Sequence, residues 1–367
     1  MNYSPLGRLG GADMLKTRII PHTLHFKRPA GTSRGVYHDH KIWYVIVTDI
    51  SDSERWGMGE CAPLFDLSCD YDENYEDRLS YFCQKLEQDG KLDIEALRPY
   101  PSVLFGLETA MRQLEQGSFR LWDTPFARGE KGIPINGLIW MGDYDYMLEQ
   151  IESKLNQGFR CVKLKIGAIN FEQELELLRY IRKHYGADKI TLRVDANGAF
   201  SPDDALDKLK RLSELDLHSI EQPIRAGQWD DMSGLTEITP LPIALDEELI
   251  GVNHPEEKKR LLETIKPQYI ILKPTLHGGI IGATEWIELA ESMDIGWWIT
   301  SALESNIGLN AIAQWCSTYN NPLPQGLGTG GLYTNNIEMP LFIQGDCLWY
   351  EIKTKNEKRK VKNILHF

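Results

Sequence analysis

From about residue 131, the chain alternates between short apolar runs and longer stretches with helical periodicity. The runs are rich in branched residues, which is typical of buried parallel strands. Between most of them lie segments such as FEQELELLRYIRKHYG and PDDALDKLKRLSEL, whose apolar residues recur every three or four positions. Eight runs follow one another, at residues 133–140, 161–166, 190–195, 217–221, 241–246, 269–273, 295–300 and 322–327. This alternation predicts an α/β fold, a (β/α)₈-type TIM barrel in modified form, over residues 131–336.

The pattern changes on both sides of this region. TRIIPHTLHF and KIWYVIVTDI alternate apolar and polar residues like antiparallel strands, and ENYEDRLSYFCQKLEQ has a helical period. LFIQGDCLWYEIK resumes the alternation near the C-terminus. We therefore expect an α+β capping domain over residues 1–130, to which residues 337–367 return. The first 13 residues or so are expected to be a disordered lead-in or the remnant of a tag.

Composition and charge narrow the classes of ligand. The 367 residues carry a net charge of −13, so the chain has no overall positive field for nucleic acid or an anionic membrane. An anionic substrate must then be held by local cations. The six cysteines have no metal-type spacing, and no apolar run reaches the ~20 residues of a membrane span. These features predict a cytoplasmic protein with free thiols and leave a homo-oligomer open.

Charged residues stand at the ends of five consecutive apolar runs. Since side chains alternate faces on a strand, Lys163 and Lys165 point to the same side of their strand. In a TIM barrel the C-terminal ends of the strands meet around the active site. The next four runs end in Asp195, Glu221, Asp246 and Lys273.

Three carboxylates at one barrel mouth would repel one another unless a cation neutralised them. Oxygen-only ligands with room for water and substrate are typical of Mg²⁺. The pattern therefore predicts a Mg²⁺ site at Asp195, Glu221 and Asp246, in which Mn²⁺ is expected to substitute.

The lysines suit proton abstraction beside such a metal. A carboxylate bound to Mg²⁺ has an acidified α-carbon, because the metal can hold the second negative charge of the enediolate. Nearby positive charge disfavours the protonated form of a lysine. We predict that Lys163 helps to make Lys165 a usable base, while Lys273 acts on the other face or stabilises charge.

Several of these segments resemble a known family. KLKIG, RVDANGA, IEQP, ALDE and ILKP are similar to the barrel of the enolase superfamily, in its muconate lactonizing enzyme subgroup, and WGMGECAPL resembles a capping-domain loop of that subgroup. The resemblance implies that Asp195, Glu221 and Asp246 bind Mg²⁺ and that Lys165 and Lys273 are the catalytic pair. It also implies that Asn197 lies beside the metal shell.

The remaining strand ends bear on the substrate. TSALESNIGL, PQGLGTGGLYTNN and INGLI are most similar to the subgroup's dehydratases, lyases that form o-succinylbenzoate in menaquinone biosynthesis. The resemblance implies a Mg²⁺-dependent syn-dehydration of a small dicarboxylate, 2-succinyl-6-hydroxy-2,4-cyclohexadiene-1-carboxylate, through an enediolate. In the loop KRPAGTSRG a cation such as Arg34 is expected to meet the succinyl carboxylate. The other candidate substrate contacts are Asn136, Asn197, Ser301, Glu304, Ser305, Gly326 and Thr329.

Two other functions stay open at this point. An N-acylamino acid racemase or dipeptide epimerase would use Lys165 and Lys273 as opposed bases. A dipeptide epimerase is expected to carry an Asp-x-Asp pair after the eighth strand, where this chain has Gly326 to Thr329. A catalytically inactive barrel serving as a scaffold is the third reading, although every predicted lysine and carboxylate is in place.

Overall fold

A computed structural model describes residues 15–32, 35–352 and 361. The predicted lead-in before residue 14, and Arg34, lie outside the described residues.

The N-terminal part combines an antiparallel sheet with helices, as its sequence pattern predicts. Three strands pair in the order β1, β2 and β3, and the helices pack against them. These elements are β1 (Leu15–Thr32), β2 (Gly35–Asp49), β3 (Asp52–Cys61), α1 (Tyr75–Asp89), α2 (Ile94–Leu97) and α3 (Pro101–Gln116).

Glycines allow helix α3 to lie directly on strand β3. Gly57 and Gly59 alternate with larger residues in WGMGECAPL, so both face the helix. A Cβ atom at Gly59 would collide with the carbonyl oxygen of Gly106 on α3, and one at Gly57 with that of Ala110. The opposite face of β3 carries Glu60, which is fully buried. The motif is therefore a packing surface between strand and helix.

We expect Gly59→Ala to destabilise the protein strongly. The added methyl group has no space, so α3 must move away from the sheet, at a cost of about 3 kcal/mol or more in the free energy of unfolding. The matched control is Gly234→Ala within a helix, because nothing lies within 4 Å of a Cβ atom there. Thermal melts of both variants test this, and equal melting temperatures would contradict the packing argument.

The central part is a (β/α)₈-type barrel. Seven parallel strands follow one another around a curled sheet in chain order. The first predicted strand is divided into β4 (Ile133–Pro134) and β5 (Gly137–Ile139), and only β5 belongs to this sheet. The other strands are β6 (Cys161–Lys165), β7 (Thr191–Asp195), β8 (Ser219–Glu221), β9 (Ile243–Leu245), β10 (Tyr269–Leu272) and β11 (Gly296–Ile299).

Helices connect these strands and cover the barrel. They are α4 (Tyr144–Asn156), α5 (Phe171–His184), α6 (Pro202–Ser213), α7 (Trp229–Ile238), α8 (Pro255–Ile265), α9 (Gly279–Ser292) and α10 (Asn306–Cys316), with a 3₁₀ turn at Glu247–Leu249. Side chains at the N-caps of α4, α5, α6 and α10 accept hydrogen bonds from the first turn; they are Asp143, Asn170, Ser201 and Ser305.

The eighth predicted strand closes the barrel through single bridges instead of a ladder. Gln325 pairs with Ile135, and Gly326 pairs with Thr300. Pro322 and Pro324 have no N–H group to donate, so a longer ladder cannot form here. The prediction of a strand over 322–327 is therefore wrong in extent, although the position in the barrel is right.

The C-terminal segment folds back on earlier parts of the chain. Strands β12 (Leu341–Gln344) and β13 (Cys347–Tyr350) form a hairpin, and β13 pairs with β4. Ile337 and Met339 pack in an apolar cluster with Trp56 and Met58 of the cap. Phe26, in strand β1 of the cap, forms an isolated antiparallel bridge with Tyr333. The first and last parts of the chain thus share one apolar cluster.

Two further observations concern the sequence predictions. All six cysteines are free thiols. In the described ranges, no helix has both the length and the apolar character needed to cross a membrane.

Candidate active site

Six charged side chains meet at the C-terminal ends of the barrel strands. Lys165, Asp195 and Glu221 stand level with one another in the register of β6, β7 and β8. Asp246 and Lys273 come directly after β9 and β10. Each carboxylate is at most 2% exposed. The structure therefore brings together the residues that the strand ends predicted.

The lysines form ion pairs with the carboxylates. Lys163 Nζ lies 3.0 Å from Asp195 Oδ2 and 2.5 Å from Glu221 Oε2. Lys165 Nζ lies 3.1 Å from the same Asp195 oxygen and donates a 2.7 Å hydrogen bond to Asn197 Oδ1. Lys273 Nζ donates to Asp246 Oδ2. Lys165 and Lys273 thus pair with different carboxylates of one cluster.

These pairs shift the pKa values of their members. Burial lowers the pKa of Lys163, but the charges of Asp195 and Glu221 outweigh it and hold this pKa above its ordinary value. Burial also opposes the charged form of Lys273, whose pKa is nevertheless raised, chiefly by Asp246. The ammonium groups of Lys163 and Lys273 therefore balance the charge of the carboxylates.

The pKa values of Asp195 and Glu221 shift in opposite directions. Burial raises the pKa of Asp195, but the charges of Lys163 and Lys165 dominate and lower it. Burial and the charge of Asp195 together raise the pKa of Glu221 well above its ordinary value. Glu221 thus lacks sufficient positive charge around it, and a further cation would stabilise its ionised form.

The donor set fits a divalent cation. Glu221 Oε1 and Asp246 Oδ1 are buried and accept no hydrogen bond from any described residue, which is costly for carboxylate oxygens. Within the described part of the chain, no three His, Cys, Asp or Glu side chains form a ready metal cluster. The ammonium groups of Lys163 and Lys273 lie against the carboxylates instead, so a bound cation would compete with them. Together with Asp195, the two carboxylates offer the oxygen-only ligands that Mg²⁺ prefers.

A cavity of about 280 Å³ lies above this cluster. Its charged floor contains Lys163, Lys165, Asp195 and Lys273, and much of its wall is apolar. Five of the predicted substrate contacts line it: Asn136, Asn197, Ser301, Gly326 and Thr329. The wall also contains Leu64, Leu67, Leu138, Trp140 and Leu303, of which the first two come from the cap. The cavity can hold a ring with one face on the charged floor.

The other predicted substrate contacts lie elsewhere. Glu304 is buried behind the wall, where it accepts hydrogen bonds of 2.5 Å each from Ser301 Oγ and Thr275 Oγ1. Ser305 is the N-cap of helix α10, and both its N–H and its hydroxyl group donate to Glu60. Arg28 lies in strand β1, so the predicted loop KRPAGTSRG is partly strand, and Arg28 lines the cavity.

Two residues that hold the site from behind, Gln222 and Glu247, are absent from the sequence predictions. Gln222 Oε1 accepts the backbone N–H of Asp246 at 3.2 Å, and Asn197 Nδ2 donates to Glu247 Oε1 at 3.0 Å. Asn197 and Gln222 both have positive φ, at 44° and 39°, a conformation that side chains other than glycine rarely adopt. Such strain clusters at functional sites. Both missed residues directly follow a predicted ligand in the sequence, Gln222 after Glu221 in IEQP and Glu247 after Asp246 in ALDE.

Comparisons with known proteins agree with this fold. The sequence model of the family described as "Enolase C-terminal domain-like" matches residues 146–344. An o-succinylbenzoate synthase of Desulfotalea psychrophila is 46% identical over 357 residues, which cover 89% of this chain and 96% of that protein.

Solved structures of other proteins have a similar fold. The crystal structure of MenC from D. psychrophila has a TM-score of 0.80 at 41% identity, covering 91% of this chain and 99% of that one. A dipeptide epimerase from Enterococcus faecalis, complexed with Mg and a dipeptide, has a TM-score of 0.80 at 18% identity, with coverage of 93% and 98%. At that identity the second likeness shows the fold alone.

Proposed function

This chain belongs to the enolase C-terminal domain-like family, and we propose that it dehydrates 2-succinyl-6-hydroxy-2,4-cyclohexadiene-1-carboxylate to o-succinylbenzoate. The observation that carries the proposal is the charged cluster beneath the cavity, where Lys165 pairs with Asp195 and Lys273 pairs with Asp246. The 46% identity to an o-succinylbenzoate synthase over most of both chains selects this reaction among those that such a cluster can support. The proposed reaction is a step of menaquinone biosynthesis.

We propose that Asp195, Glu221 and Asp246 hold Mg²⁺, for which Mn²⁺ is expected to substitute. The cation would bind the ring carboxylate of the substrate and acidify the adjacent carbon. Two observations support this assignment: the oxygen atoms of Glu221 and Asp246 that lack described partners, and the raised pKa of Glu221, which burial and Asp195 cause.

Lys165 is the proposed base. Its amine takes the proton from the ring carbon that bears the carboxylate, and Asn197 Oδ1 orients Nζ during this step. The ammonium group of Lys273 stabilises the negative charge that develops on the substrate, and the raised pKa that Asp246 gives it favours this charged form. Lys165 then returns its proton to the hydroxyl group that leaves from the neighbouring ring carbon. One molecule of water is lost from one face of the ring, and the ring becomes aromatic.

The residues that hold the succinyl arm are proposed from the cavity wall. Arg28 lies at the cap side of the cavity, where its guanidinium group can pair with the succinyl carboxylate. Thr329 Oγ1 is buried and has no hydrogen-bond partner among the described residues, so it is available to a polar atom of the arm. The apolar wall between them suits the methylene groups.

A product assay with the purified protein tests the function. Incubation with the cyclohexadiene substrate is expected to give the ultraviolet spectrum of an aromatic product, and EDTA is expected to abolish it until Mg²⁺ is returned. The racemase or epimerase alternative predicts exchange of the α-proton of N-succinyl amino acids or dipeptides in D₂O. Exchange without any aromatic product would overturn the proposed function.

A further inference from the structure

Helix α9 has neither a capping side chain of its own nor, unlike α7 and α8, an acidic residue in its first turn. Its N-cap is Gly278, with φ of 93°. The first N–H groups of a helix have no partner within the helix, and here they are buried. They therefore need an acceptor from another part of the fold.

That acceptor comes from the cap. Glu108 on α3 is 2% exposed, and its Oε2 accepts the N–H of Ile280 at 2.6 Å. Its Oε1 accepts the N–H of Ile281 at 3.0 Å. Gly279 has φ of 70°, and a Cβ atom at this position would collide with Glu108 Oε2. Glycine is thus required at 279 both for the backbone conformation and for the approach of the carboxylate.

The start of α9 is joined tightly to Lys273. The carbonyl group of Lys273 accepts the N–H groups of Leu276 and His277, and that of Pro274 accepts the N–H of Gly279. Nδ1 of the buried His277 in turn accepts the N–H of Lys273 at 2.9 Å. Because Nδ1 accepts this bond, it carries no proton of its own. The segment from Lys273 to Gly279 is therefore a compact turn with little freedom of its own.

We propose that Glu108 is a positioning residue for Lys273, acting from the capping domain through the N-terminus of α9. This inference rests on the proposed function only in the role given to Lys273. A displacement of the α9 start would pass through the turn to Lys273, whose ammonium group must lie within reach of the reacting carboxylate. Misplacement of a catalytic group by about 1 Å can cost up to about a hundredfold in rate.

The test compares two cap residues that both contact α9. Glu108→Gln keeps the volume but places an amide NH₂ where a carboxylate oxygen accepts an N–H, so one bond is lost. Arg98→Gln removes the 2.9 Å ion pair between the cap and Glu285, which lies more than one turn along the same helix. We expect Glu108→Gln to lower kcat about tenfold with a smaller change in KM, and Arg98→Gln to leave kcat unchanged.

Amide hydrogen exchange provides a readout that needs no substrate. Exchange in residues 273–281 is expected to be faster in Glu108→Gln than in the wild type, but not in Arg98→Gln. Glu108→Asp withdraws the carboxylate by one carbon atom. It is expected to show a smaller loss of kcat and a smaller increase in exchange over residues 273–281, and it provides a second variant should Glu108→Gln not fold.

Two results would overturn the inference: a wild-type kcat in Glu108→Gln, or an equal loss of kcat in both cap variants. A wild-type protein that forms no aromatic product would instead contradict the proposed function. The exchange comparison would still decide whether Glu108 holds the Lys273 turn.

Discussion

The variant Lys165→Ala is expected to lose at least about 10³-fold in kcat while keeping its fold. Without the amine, nothing at this position can take the proton from the ring carbon. The fold is expected to survive because Asp195 keeps its ion pair with Lys163 at 3.0 Å, so no carboxylate is left buried alone. Rates of aromatic product formation, with circular dichroism as the check on folding, test this expectation.

Lys165→Arg is the matched control for this variant. The guanidinium group keeps the positive charge next to Asp195 but cannot lose a proton at neutral pH. Both variants should therefore be inactive if Lys165 is the base. A near-wild-type rate in Lys165→Ala would refute the assignment, and an active Lys165→Arg would indicate that only the charge matters.

The second large effect is expected from Asp246→Asn, which should weaken Mg²⁺ binding by about a hundredfold or more. Asp246 is fully buried, and its Oδ1 accepts no hydrogen bond from the described residues. An amide supplies no negative charge and only one oxygen, so the cluster loses a charged ligand. The volume of the side chain is unchanged, which separates the loss of charge from a loss of packing.

Calorimetric titration with Mg²⁺ measures this effect without any substrate. Asp207→Asn on the exposed face of α6 changes the same chemical group, since the Asp207 side chain is 84% exposed. It is expected to bind Mg²⁺ like the wild type. Equal affinities in the two variants would mean that Asp246 is not a ligand.

Much of the barrel can be predicted from the sequence because five consecutive apolar runs have a charged residue at or next to their last position. The runs that end in Lys165, Asp195 and Glu221 coincide with strands β6, β7 and β8 to within two residues at either end. Buried strands are mostly apolar, so a charge at the last position of a run marks the strand end, although β6 and β7 also contain the buried Lys163 and Arg193. The positions of the six charged side chains along the predicted strands therefore place them together at one end of the barrel.

Other features depend on contacts between parts that are distant in sequence. The division between β4 and β5 arises because β4 pairs with β13, more than 200 residues later in the chain. Glu304 and Ser305 follow the seventh strand as active-site residues would, but their side chains point to Thr275 and Glu60. Glu108 lies in an otherwise buried helical pattern, and nothing in that pattern indicates that it caps a helix of another domain.

The apolar cluster shared by the first and last parts of the chain has a consequence for biosynthesis. Tyr333, Ile337 and Met339 lie in the apolar cluster around Trp56, so one face of the N-terminal sheet stays incompletely covered while the ribosome is still making the barrel, whereas the other face packs on α1 and α3. Such long-range closure slows folding and leaves strand edges uncovered in the meantime. The nascent polypeptide can complete this cluster only after residues 333–339 have emerged from the exit tunnel, and until then the uncovered apolar face is a surface of the kind that molecular chaperones bind.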